Sequence, residues 1–227
     1  MTILPAPDPL IDSNLRKKIY IFSGLGADES VFQRLDFSGF SPTFIKWIPP
    51  QDHEPIEQYA SRLLDQIPTV NPTLIGLSFG GMMAVEVAKL IDTEKVVLLA
   101  SAKTKREIPL YYRIAGQIGL DKLLPVRLLK SSGFLTNWFF GANHSSDKQI
   151  LKQILLDTDP VFLKWAIRKI LSWSNQTQIK NVVHIHGTSD RILPVNFVTC
   201  DLVVKNGGHL MTWNKAEQLN EMLRKHL

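Results

Sequence analysis

The stretch Gly76-Leu77-Ser78-Phe79-Gly80 lies between an apolar run, Thr73-Leu74-Ile75, and a segment from Met82 to Leu90 with the length and composition of a packed helix. That arrangement predicts a strand turning sharply into a helix, with almost no room in the turn. A serine forced into a strained backbone conformation there holds its hydroxyl exposed above the sheet, and Gly76 and Gly80 let strand and helix approach without Cβ collisions. The helix starts just under that hydroxyl. Its unpaired amides, with the Phe79 N–H foremost, face any anion that forms there. Ser78 is thus the candidate nucleophile.

Around this turn, apolar runs alternate with helical patterns. Lys18 to Phe22 reads as a first strand ending in Ser23-Gly24-Leu25-Gly26, followed by a helix from Ser30 to Leu35. A short strand at Thr43 to Trp47 precedes Pro49-Pro50, and helix signals resume from Pro55 to Ile67, with Ile56, Tyr59, Ala60, Leu63 and Leu64 on one face. Lys95 to Ala100 is another continuous apolar strand. The rhythm stops at Ser101 and returns with strands at Asn181 to His186 and Cys200 to Val204, then a last helix from Trp213 to Lys225. Strands apolar on both faces, spaced by helices, predict a doubly wound α/β fold: a mostly parallel sheet of about six strands with helices on both faces.

The 227 residues, 44% of them hydrophobic, are enough for one sizeable core. The reading divides them into a core of residues 1–102 and 180–227 and a helical cap insertion of residues 103–179. Within the insertion, Asp159-Pro160 supplies an N-cap and a first-turn proline ahead of an amphipathic helix carrying Phe162, Trp165, Ile170 and Trp173. Between Lys103 and Trp173 the sequence has 12 Lys/Arg against 5 Asp/Glu, interleaved with aromatic residues. Such a segment suits weak contact with a membrane surface or anionic substrates, but more often is a helical layer with solvated cations outside and aromatics inside. No nucleic-acid-binding motif accompanies the charge.

Met1 to Ser13 has neither a basic start nor a continuous apolar stretch, so neither a signal peptide nor a spanning helix is expected. The one cysteine, Cys200, excludes an internal disulfide and fits a reducing compartment; a cytoplasmic location is expected. No metal cluster, phosphate loop or dinucleotide fingerprint is present, and no cofactor is expected.

A serine hydroxyl needs a base within hydrogen-bond reach and an acid to fix that base's tautomer. Asp190 sits in the loop that follows a strand in His186-Gly187-Thr188-Ser189-Asp190, and His209 in the exit loop of the next strand, after Gly207-Gly208. In a parallel sheet both loops share one edge with the turn at Ser78, where open α/β sheets bind ligands. His53, His144 and His226 do not follow strands. His184 and His186 share one face of a strand and read as packing groups or supports of the site. Asp201, at the head of a strand, falls at the opposite edge from the turn. Asp28 reads equally as a helix cap and as a substrate contact.

On these residues the chain resembles the α/β-hydrolase superfamily, over about Lys18 to Ala102 and Asn181 to His226. The resemblance rests on Gly76 to Gly80 as the nucleophile turn, His186 to Asp190 as the acid loop and Gly208-His209 as the histidine loop, in the order Ser, Asp, His. It implies a catalytic set of Ser78, Asp190 and His209, with the backbone N–H groups of Phe79 and Leu25 as an oxyanion hole. Ser23 stands where the usual turn after the first core strand carries histidine. The implied activity is that of a carboxylesterase-like serine hydrolase acting on a small ester or thioester with a hydrophobic group. Acyl transfer, lyase chemistry on the same residues and a non-enzymatic ligand receptor are the alternatives.

Overall fold

A computed structural model describes residues 16–119, 125 and 130–227; the reading of Met1 to Ser13 lies outside them, as do nine residues of the expected insertion. In chain order the regular elements are β1 (Lys17–Phe22), β2 (Phe40–Phe44), α1 (Ile56–Leu63), β3 (Thr73–Leu77), α2 (Phe79–Ala88) and β4 (Lys95–Leu99). Four helices follow, α3 (Leu110–Gln117), α4 (Phe134–Phe140), α5 (Ser145–Asp157) and α6 (Pro160–Ser172). The chain then returns to the sheet with β5 (Val182–Gly187) and β6 (Leu202–Val204), and closes with α7 (Met211–Asn214) and α8 (Ala216–His226).

The six strands lie in the order β2-β1-β3-β4-β5-β6, and every pairing is parallel. Alternate residues of β1, β3 and β4 feed two separate cores. Tyr20, Phe22, Leu74, Val96 and Leu98 pack on one face with α1, α2 and α6. Ile19, Ile21, Ile75, Val97 and Leu99 pack on the other with Val31, Phe32 and α8. A strand apolar at every position is what a sheet covered on both sides requires.

Because β1 lies between β2 and β3, the chain leaves β1 toward one face and leaves β3 toward the other. That divergence opens a crevice at the carboxyl ends of these two strands. The turn at residues 23–27 and the turn at Ser78 form its two lips.

Three elements differ from the sequence reading. The second strand runs over Phe40–Phe44 rather than Thr43 to Trp47, and so contains Pro42. Proline is tolerated because β2 is an edge strand with no outer partner for the missing N–H. Ile45 extends the pairing by donating its N–H to the Ile21 carbonyl at 2.8 Å. The helix expected at Ser30 to Leu35 is a single 3-10 turn, Glu29–Phe32, capped by Asp28. The last helix is broken at Lys215 into α7 and α8. No helix among the described residues is long and apolar enough to cross a membrane.

Among the described residues, the closest approach of backbone to a glycine is at the turn from β3 into α2. A Cβ on Gly76 would lie 2.4 Å from the Gly81 Cα, and one on Gly80 would lie 2.2 Å from the Ser23 carbonyl oxygen. Both obstacles are backbone and cannot rotate away. Gly76→Ala is therefore expected to lower unfolding free energy by about 1–3 kcal/mol through overpacking. Urea denaturation of the two proteins measures it; an unchanged midpoint would refute this account of the turn.

Candidate active site

The strand-to-helix turn holds Ser78 at φ 54° and ψ −120°, a left-handed conformation that a side chain rarely adopts. Its backbone is fastened on both sides. The Ser78 N–H donates to the Leu99 carbonyl at 2.9 Å, and the Ser101 hydroxyl donates to the Ser78 carbonyl at 2.7 Å. Gly81 N–H also donates to that carbonyl, at 2.9 Å. The strain is thus held by hydrogen bonds from two neighbours, and the hydroxyl is left facing the crevice.

His209 reaches this hydroxyl from the loop after β6. Its Nε2 lies 2.7 Å from the Ser78 Oγ, and its Nδ1 lies 2.7 Å from the Asp190 Oδ2. Asp190 has no proton to give, so Nδ1 carries the hydrogen and Nε2 is the acceptor for the serine O–H. Phe140 packs edge-on against the imidazole, with ring centroids 5.7 Å apart.

The loops that carry the acid and the histidine are stitched together. Thr188 N–H donates to the Val204 carbonyl at 3.1 Å and Ser189 N–H to the Gly207 carbonyl at 2.8 Å.

Asp190 is buried, which by itself pushes its carboxyl upward. The charge and hydrogen bond of His209 and the N–H of Leu193 oppose that and hold it below the usual carboxylate value. Its second oxygen, Oδ1, accepts the N–H groups of Ile192 and Leu193, each at 2.9 Å. The carboxylate is ionised and aimed, as an orienting acid must be.

Leu25 lies in the opposite lip of the crevice and lines the same cavity as Ser78. Among the described residues neither the Leu25 nor the Phe79 N–H has a hydrogen-bond partner. The turn that carries Leu25 is braced by Ser23, whose hydroxyl donates to the Ala27 carbonyl and accepts the Trp47 indole N–H at 3.0 Å.

A cavity of about 300 Å³ opens on Ser78 and His209. Its walls come from the sheet edge and from α3, α5 and α6, including Tyr112, Leu155, Leu163 and Ile167. Among the described residues, the polar side chains in the lining are Ser78, Tyr112, Thr158 and His209, with no Asp, Glu, Lys or Arg among them. Burial, helped by Tyr111 and Asp190, pushes the Tyr112 phenol up to about 12, so it stays protonated as a donor. A larger cavity of about 560 Å³ lies elsewhere, beside Lys103, Glu107 and Thr199, and shares no residue with this site.

The remaining candidates are placed elsewhere. Asp28 accepts the Ser30 N–H at 2.9 Å and acts as a cap. Asp201 accepts the His184 N–H at 2.8 Å. His144 caps α5, and His53 is exposed. His184 and His186 are fully buried, with His186 beside Asp190 and His184 behind it. The sequence reading missed Ser101 and the apolar side chains of α5 and α6 that wall the cavity. Ser101 had a signal, since it leaves a buried strand at the same edge as Ser78.

No protein-family model matches the chain, and no curated protein matches it in sequence. Solved structures do superpose on nearly all of it. The enol-lactonase from Burkholderia xenovorans LB400 aligns at a TM-score of 0.69 and 17% identity, over 93% of this chain and 91% of its own. The bromoperoxidase from Bacillus anthracis gives 0.68 and 16%, over 93% and 91%. A thermophilic esterase from Thermogutta terrifontis gives 0.68 and 15%, over 92% and 88%. The chain has the α/β-hydrolase fold.

Burial, with His186 and the Lys103 cation nearby, drives the His184 imidazole from its ordinary 6.5 down to about 3, against the pull of the Thr199 carbonyl and Asp201. The unfolded chain therefore takes up a proton near pH 6.5 that the folded chain refuses until about pH 3. Stability from this group is complete above 6.5 and is lost as pH falls toward 3, by at most about 1.4 kcal/mol per pH unit. His184→Gln is expected to remove about one proton's worth of that slope, measured by urea unfolding at several acidic pH values. An unchanged slope would show that His184 is not held neutral.

Proposed function

We propose that the protein is a serine hydrolase that cleaves a carboxylic ester or thioester bearing a hydrophobic group, through an acyl-enzyme on Ser78. The observation that carries the reading is one imidazole, His209, within 2.7 Å of both the Ser78 hydroxyl and the Asp190 carboxylate. That unit opens on a cavity whose described lining carries no Asp, Glu, Lys or Arg. Ester bonds, open or in a lactone ring, are named for several structures of similar fold, including the enol-lactonase, the thermophilic esterase and an N-acyl homoserine lactone degrading enzyme.

In this reading His209 Nε2 takes the Ser78 proton as Oγ bonds to the substrate carbonyl carbon, and the carbonyl electrons move onto oxygen. The Phe79 and Leu25 N–H groups stabilise that oxyanion, in a site where preorganised donors outperform water. Collapse breaks the bond to the leaving alkoxide or thiolate, which receives the proton from His209. Water then adds to the acyl carbon as it gives a proton to His209. The acid departs when that proton returns to Ser78 Oγ. Asp190 keeps the imidazole in the Nδ1–H tautomer and balances the positive charge on it.

The helices between β4 and β5 act here as a cap that forms the walls for the hydrophobic group. A charged acyl group would find no oppositely charged side chain among the described residues of those walls, and burying it there without one would be costly. Neutral aliphatic acyl chains are the class that fits.

Ser78→Ala is expected to lower kcat/KM for an activated ester by a factor of about 10⁴ or more, with the fold unchanged by circular dichroism. Parent-like turnover by that variant would sink the assignment. Across p-nitrophenyl esters of graded length, kcat/KM should rise from acetate into the medium chains and stay low for acids carrying a second charge. A preference for charged acids would refute the reading of the cavity.

A further inference from the structure

Two histidines that the hydrolytic steps do not use are buried with no exposure, His186 beside Asp190 and His184 next to His186. They form a short chain of polar contacts. The His186 Nε2 lies 2.8 Å from the Leu193 carbonyl, its Nδ1 lies 3.2 Å from the His184 Nε2, and the His184 Nδ1 lies 3.3 Å from the Thr199 carbonyl. The two rings meet edge to face, at 88°.

Counting protons fixes their tautomers. Three contacts each need one hydrogen, and two neutral imidazoles carry two. A third proton would place a cation among buried groups, and burial holds both rings well below their ordinary value. One contact therefore goes without a hydrogen. If that were the contact to Leu193, a bare nitrogen would face a carbonyl at 2.8 Å with the Asp190 Oδ2 only 3.6 Å away. If it were the contact between the rings, two lone pairs would face each other at 3.2 Å. The least costly vacancy is the longest contact, to Thr199. His186 is then Nε2–H toward Leu193, and His184 is Nε2–H toward His186.

This arrangement has a consequence at Asp190. The backbone of Leu193 is gripped twice, its N–H by the Asp190 Oδ1 and its carbonyl by His186. The same His186 N–H points its positive end near the Asp190 Oδ2, at 3.6 Å, too far for a hydrogen bond but close enough to favour the ionised carboxylate. The charged and titratable groups around the pair are Asp190 and His209 on the site side and Lys103 and Asp201 on the other. We propose that His186 is a positioning residue for hydrolysis: held in the Nε2–H tautomer by His184, it locks the Asp190 to Leu193 turn and keeps the carboxylate aimed at His209. The proposal rests on the reading of Ser78, His209 and Asp190 as the catalytic unit.

The test compares the parent with His186→Leu, which has no N–H, and His186→Gln, whose amide N–H extends toward the place of Nε2. Active sites are titrated with a fluorophosphonate, kcat per titrated site is measured on the best p-nitrophenyl ester, and the low-field proton resonance of the His209–Asp190 hydrogen bond is recorded. In His186→Leu, kcat per site should fall about tenfold or more with KM within about threefold, and the low-field resonance should move or vanish. His186→Gln should recover most of both. A residue that only packs would lower the melting temperature and the number of titratable sites, leaving kcat per site and the resonance as in the parent; that result overturns the proposal, as does a Gln variant no better than Leu. Nitrogen-15 NMR of the parent gives the tautomer directly, whether or not the variants fold. A His186 protonated on Nδ1 overturns the proposal. If the parent turns over no ester, the hydrolase reading fails, while the tautomer and the low-field resonance still report whether His186 holds Asp190 as described.

Discussion

The structure depends on how closely the start of α2 lies against β3 and β1. The backbone at Gly76 and Gly80 approaches its neighbours so tightly that no Cβ fits, and Ser78 is bent into a left-handed conformation between them. A chain relaxed to ordinary φ and ψ at Ser78 would aim the hydroxyl away from the crevice. Hydrogen bonds from the Ser78 N–H to Leu99 and from the Ser101 hydroxyl to the Ser78 carbonyl hold the strained residue from the β4 side. Sheet packing thus determines the position of the hydroxyl, and the loops after β5 and β6 need only meet it there. They do so because all six strands run the same way and deliver their exits to one edge.

The electrostatics follow from that convergence. One ionised carboxylate is buried with three imidazoles around it, and each ring has a different assignment. His209 touches both Ser78 and Asp190. His186 faces the flank of Asp190 while hydrogen-bonded to Leu193, and His184 sits behind it. Burial keeps the two rear rings neutral, so they act on Asp190 as dipoles and add no competing cation.

Much of this was legible in the sequence because it depends on local rules. Strands apolar at every position, Gly at the two close contacts and loops that follow strands are patterns a linear chain carries openly. Ser78, Asp190 and His209, read as one set from loop order, lie in hydrogen-bond reach of one another. The misreadings have tertiary causes. Pro42 argues against a strand until β2 is known to be an edge, and Asp28 is ambiguous until its oxygen is seen to accept the Ser30 N–H. Ser101 has its partner 23 residues away, a contact that no periodicity announces, and His186, read as a packing group or support of the site, shows its particular partner, Leu193, only in the fold.

The helices between β4 and β5 are fastened to the sheet domain at points that surround the site. Thr158, between α5 and α6, presses on Gly26 in the turn that carries Leu25, close enough to occupy the space of a Cβ there. Phe140, at the end of α4, packs on the His209 ring, and its carbonyl accepts the Leu210 N–H at 3.2 Å. Trp173, at the end of α6, donates its indole N–H to the buried Glu86 of α2 at 2.8 Å, and Trp165 donates to the Glu54 carbonyl at 3.1 Å. A displacement of these helices would therefore move the lip opposite Ser78 and the packing of His209 together with the cavity wall. The segment that encloses the apolar space also packs on His209 and on the turn that carries Leu25, so changes in its side chains couple the shape of the cavity to the alignment of Ser78 and His209.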